Sequence, residues 1–140
     1  HEVSKRILID RLISCCDLRF NVVLIISMQI VSGSISGEVK IWDLRFSASI
    51  RTHNVQRSQM TALAIHPLIP LIATGSHAQF IKLFSLDGDT LEIIRFHEEM
   101  AGHRIGPVGC LSFHPHKPVL ACGGTDGIVG IYAPKNPAIF

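Results

Sequence analysis

Apolar and smaller or polar residues alternate along short stretches of this chain, and the alternation restarts at nearly regular intervals. Leu63 and Ile65, and again Leu111 and Phe113, are separated by single smaller residues. That is the period of two which puts every second side chain on one face of a strand. His66-Pro67 and His114-Pro115 close these runs, because proline has no N–H to give a ladder. A few residues later comes an apolar stretch such as Leu71-Ile72-Ala73, then a glycine, then a turn. Ser36-Gly37 and Asp126-Gly127 are pairs that favour the positive backbone angles of tight hairpins. The strand beyond the turn carries Val39 and Ile41, Ile81 and Leu83, or Val129 and Ile131. A further turn at Asp87-Gly88 predicts a fourth strand over Leu91 to Phe96. The greasiest run, Phe20 to Val31, is shorter than the ~18–20 residues of a membrane span and includes Asn21, Ser27 and Gln29. It lacks the position and cleavage site of a signal peptide and reads as a buried strand. No segment sustains a 3.6-residue period.

These strands belong to a repeat. Segments starting at Ile30, Ile72 and Leu120 align without gaps, and their glycines Gly33, Gly75 and Gly123 stand 42 and 48 residues apart. Trp42, Phe84 and Tyr132 keep the same spacing. Four short antiparallel strands per repeat of roughly 40–45 residues describe a propeller blade. The expected fold is all-β, a partial β-propeller of about three four-stranded blades. Residues 31–140 form its blades, and residues 1–30 hold divergent N-terminal strands. Propellers close with about four to eight blades, so further blades are expected upstream. An open ring exposes apolar terminal faces, and this chain alone is expected to associate through them.

Composition narrows the function classes. At 47% hydrophobic and 17% charged the chain is too apolar to be disordered, and its net charge of +2 is spread without a basic run. Nucleic-acid binding is therefore not expected. Cys15, Cys16, Cys110 and Cys122 form no C-x-x-C pair and read as free, buried thiols. The eight histidines, including His114-Pro115-His116, lack a partner cluster at zinc spacing and read as turn and surface residues. No metal and no cofactor are expected. There is no G-x-S-x-G elbow, no H-E-x-x-H and no phosphate loop, and Glu98-Glu99 beside His97 read as a solvated loop. No catalysis is expected.

The repeated "Gly-Ser, turn, apolar-Lys-apolar-aromatic" pattern resembles the WD repeat, with Trp42-Asp43 supplying its dipeptide once and Gly102-His103 its lead-in. The resemblance implies a His, Ser/Thr, Asp and Trp network within a blade. In the third unit that would fall on His103, Cys122, Asp126 and Tyr132, where a thiol is a poor hydrogen-bonding partner. A narrower resemblance covers roughly Ile30 to Tyr132. M-T-A-L-A-I-H-P, F-I-K-L-F-S-L-D-G, I-I-R-F-H-E-E-M-A-G-H-R-I-G and C-L-S-F-H-P-H together resemble the C-terminal propeller of the Raptor family.

That likeness implies a non-catalytic scaffold acting in nutrient and growth signalling, with the TOR kinase complex and its regulators as partners. It further implies a cytoplasmic location with recruitment to lysosomal or vacuolar surfaces. The alternative is a substrate receptor of a cullin-type ubiquitin ligase, because Trp42-Asp43-Leu44-Arg45 resembles a rim docking element. Arg45 is its candidate contact. For the scaffold, the linker Glu92 to Gly106 is expected to be a loop that offers Arg95, His97, Glu98, Met100 and Arg104 to partners.

Overall fold

The computed structural model describes residues 21–26, 29–43, 45–46, 48–97 and 102–134. They form three antiparallel sheets. The first takes β1 (Asn21–Ile26), β2 (Gln29–Gly33), β3 (Glu38–Asp43) and β4 (Ser49–Asn54) in chain order. The second takes β5 (Met60–Ile65), β6 (Leu71–Ser76), β7 (Phe80–Ser85) and β8 (Thr90–Ile94). The third has β9 (Val108–Phe113), β10 (Leu120–Gly124) and β11 (Val129–Tyr132). Sequential meanders of this kind are propeller blades. The run from Phe20 to Val31 is not one strand. Ile26 pairs with Gln29, so the greasy stretch folds back on itself as the β1–β2 hairpin. An apolar run shows no period by which a reversal can be seen.

Pleating gives each sheet two faces, and the repeat fixes which face meets which neighbour. Ile72 pairs with Phe84 on one face of the second blade, and Gly75 with Ile81 on the other. The Ile72–Phe84 face packs on Val31, Val39 and Ile41 of the first blade. The opposite face, with Ala73 and Ile81, receives Leu120, Cys122 and Tyr132 of the third blade. Blades therefore stack with the aromatic face of one on the aliphatic face of the one before. Ile30 and Trp42, the matching pair of the first blade, form a small buried cluster of their own.

Positive backbone angles fall where the turn pairs predict them, at Gly37 (φ 88°) and Gly127 (φ 81°). A Cβ on Gly37 would lie 2.0 Å from the Gln56 carbonyl oxygen, so this turn excludes side chains by space as well as by angle. The same position in the second blade is Gln79, at φ 64°. A left-handed conformation costs an L-residue about 1–2 kcal/mol, partly offset by the chain entropy that glycine would lose. Gln79→Gly is expected to raise stability by about 0.5–1 kcal/mol in urea unfolding.

The His-Pro stops do more than end strands. Nδ1 of His66 accepts hydrogen bonds from the backbone N–H groups of Leu68 (3.1 Å) and Ile69 (3.0 Å). The ring proton therefore sits on Nε2, which donates to the Lys117 carbonyl of the third blade at 3.0 Å. His66 is fully buried and meets Phe113 edge-on. It departs from the expectation of a turn and surface histidine, because the turn itself is covered by the next blade. His114 makes the same local bonds, to the N–H groups of His116 and Lys117, but is exposed.

Candidate protein-interaction site

Each blade settles the polar position beside its aromatic residue in its own way. In the first, the Trp42 indole N–H donates to Ser32 Oγ at 2.9 Å. Phe84 has no such donor, and the second blade's Thr74 donates instead to Gln56 Oε1 at 3.1 Å. In the third, Cys122 stands in the place of Ser32 and Thr74, and the Tyr132 hydroxyl reaches His97 Nδ1 at 3.2 Å. Gly130 leaves room for it, since a Cβ there would come within 2.7 Å of the Tyr132 hydroxyl. The network expected on His103 is thus built on His97, while Asp126 Oδ1 accepts the Ile128 N–H within its own turn. A hydrogen bond from six residues upstream carries no sequence spacing that would reveal it.

This bond reshapes the linker. The fourth strand of the second blade is Thr90–Ile94, and Phe96 lies beyond it in an antiparallel bridge to Arg104. His97 N–H donates to the His103 carbonyl and Ile105 N–H to the Arg95 carbonyl, both at 3.0 Å. Residues 95–97 and 103–105 are therefore a two-stranded ribbon where a loop was expected. Ile105, which is buried, anchors it in the core between the second and third blades. His97 is buried and stacked on Tyr132, with an interplanar angle of 15°. Its Nε2 has no hydrogen-bond partner among the described residues. Of the candidate contact residues, Arg95 and Arg104 are exposed on the ribbon, His97 faces inward, and Glu98 and Met100 lie outside the described residues.

Arg45 sits apart, on the first blade's rim, and its guanidinium grips Asp43. Nε donates to Oδ1 at 3.0 Å and an Nη donates to Oδ2 at 2.6 Å. The cation also lies 5.9 Å above the Phe46 ring. These hydrogen bonds, then the Arg45 backbone N–H, and lastly the opposite charge, outweigh the desolvation that opposes them, holding the Asp43 carboxyl at about 2. A carboxylate depressed on folding contributes stability that is full above the ordinary value of 3.8 and is lost as pH falls through about 2. In Arg45→Ala the Asp43 carboxyl carbon, followed by NMR, is expected to titrate higher than in wild type but still below the ordinary value, because the backbone N–H of residue 45 stays in place. Acid unfolding is expected to begin at higher pH.

Cys122 is buried and its thiol is pushed up to about 11, first by that burial and then by Cys110 and Asp126 nearby. Cys110 is exposed, against the expectation that it is buried, because it pairs with Gly123 on the face of the third blade opposite Cys122, which no further blade covers among the described residues. Cys15 and Cys16 lie outside the described residues. Among the described residues no group of three His, Cys, Asp or Glu side chains converges as a metal site would require, and no helix is long and apolar enough to cross a membrane.

The WD domain, G-beta repeat family matches residues 95–132, the ribbon and the third blade. The rice (Oryza sativa subsp. japonica) protein "Regulatory-associated protein of TOR 2" is 46% identical over 77% of this chain. The Schizosaccharomyces pombe "Target of rapamycin complex 1 subunit mip1" is 36% identical over 75% of it. The chain belongs to the Raptor family. The crystal structure of Chaetomium thermophilum Raptor overlays with a TM-score of 0.65 at 25% identity, covering 77% of this chain and 10% of that one. This Raptor-family chain spans 8% of the length of the rice and S. pombe relatives. The fold expectation of a partial WD-type propeller holds, with two four-stranded blades and a third of three strands among the described residues.

Proposed function

We propose that this chain acts as part of a non-catalytic scaffold subunit of a TOR kinase complex in nutrient and growth signalling. The observation that carries the reading is the 46% identity to a protein named for its regulatory association with TOR, over 77% of the chain. The architecture supports it. The buried strand side chains are committed to blade-to-blade packing, and the exposed polar residues of the ribbon are Arg95, His103 and Arg104, a binding set without a nucleophile or base-nucleophile pair. A cytoplasmic location, with recruitment to lysosomal or vacuolar membranes, goes with the same reading.

The test is affinity purification of the gene product carrying this sequence, tagged at its own locus. TOR kinase is expected among the recovered proteins, and its absence under conditions that preserve the complex would overturn the reading. The ligase-receptor alternative needs a rim arginine free to meet an adaptor, and Arg45 is engaged by Asp43. Arg45→Ala is accordingly expected to leave the recovered partners unchanged.

A further inference from the structure

Resting on the scaffold reading, the surface between the second and third blades narrows the kind of segment that docks there. A groove of about 210 Å³ is walled by Ile94 and Phe96 on one side and by Phe113, Leu120 and Pro134 on the other. Small-molecule sites run to about 300–1,000 Å³, so this groove suits one large side chain and not a cofactor. Phe96 is 55% exposed at its edge, a large apolar surface left in water.

Among the described residues, cations outnumber acids around the groove. Arg95 lines it, and Arg104, opposite Phe96 in the ribbon bridge, leaves the backbone on the same face as Phe96. Lys117 is exposed beside the lining residue Pro118. Glu92 is the single acid among the described lining residues, and no ion pair among the described residues engages Arg95, Arg104 or Lys117. The ribbon is already fixed by Ile105 in the core and by the His97–Tyr132 bond, so the backbone that carries its cations needs no ordering when a segment binds.

We propose that this groove receives an extended acidic segment of a partner protein, which seats one aromatic or branched aliphatic side chain against Phe96 while flanking carboxylates meet Arg95 and Arg104. Guanidinium groups take carboxylates in paired hydrogen bonds, and an apolar anchor between them supplies the buried area. The basic margin disfavours a lysine-rich segment of the same shape.

The probe is a fluorescein-labelled short peptide of alternating Asp and Ser around a central Phe, titrated against the full chain by anisotropy. Saturable binding is expected, weakened at least about tenfold in Arg95→Glu/Arg104→Glu and comparably when the peptide's Phe is replaced by Ser. Both arginines are exposed, so circular dichroism of the double variant is expected to match wild type. Amide exchange is expected to slow over residues 92–97 when the peptide is bound. Equal affinity in the double variant, equal binding of a peptide with Lys in place of Asp, or no saturation would overturn the proposal. So would binding only by a chain ending at Pro134, which would give the groove to the chain's own last residues. Recovery of TOR kinase without any peptide binding would reject this docking surface and leave the scaffold reading intact.

Discussion

Replacing His66 with Ala is expected to cost about 3 kcal/mol, whereas the same change at His114 is expected to cost less than about 1 kcal/mol. The two histidines occupy the same repeat position, 48 residues apart, and each folds its own His-Pro turn through Nδ1. Only His66 is enclosed, with Nε2 bonded across to Lys117 and its ring against Phe113. Truncation there removes the acceptor of two N–H groups, strands a carbonyl between blades and leaves a cavity. At His114 water takes over the lost bonds. Urea unfolding followed by far-ultraviolet circular dichroism measures both, and similar losses would show that the turn, not the joint between blades, sets the cost. Against the ~5–15 kcal/mol of an ordinary domain, the His66 loss is large.

The second large contrast is between Ile81→Lys and Val129→Lys, again one repeat position in two blades. Val39 and Ile81 are 0% exposed beneath the next blade, but Val129 is 70% exposed and its neighbour Ile131 71%. A lysine at residue 81 would place an unpaired charge in the core between blades, for a loss of more than about 4 kcal/mol. The expected result is a chain recovered insoluble. Val129→Lys is expected to change stability by less than about 0.5 kcal/mol and to reduce self-association in sedimentation, since it breaks an exposed apolar face. Unchanged association would mean that the chain self-associates elsewhere.

The repeat made most of this architecture legible from residue order. Period-two alternation placed the strands, glycine turn pairs placed the hairpins, and the 42- and 48-residue spacings put Trp42, Phe84 and Tyr132 at one structural position. What could not be read arose from contacts between repeats. The burial of His66 depends on a turn 51 residues away. The ribbon depends on His97 finding Tyr132, and on pairing between residues whose charges suggested a solvated loop. Position 79 was hidden for another reason: glutamine takes a left-handed angle only where the surrounding hairpin imposes it. At the candidate contact surface, charge and residue type were readable, but which side chains face outward was not. Arg95 and Arg104 do, while His97, between them in sequence, turns in to hold the blade.

Trp42 is the single tryptophan of the chain, bonded to Ser32 on the first blade's aromatic face. Its emission is therefore a local optical gauge of that blade, while Tyr132 lies two blades away at the other end of the stack. Stacked repeats can lose cooperativity and melt one unit at a time. In this chain the two chromophores can time-stamp opposite ends of that melting, and a gap between their midpoints would measure how firmly neighbouring blades are coupled.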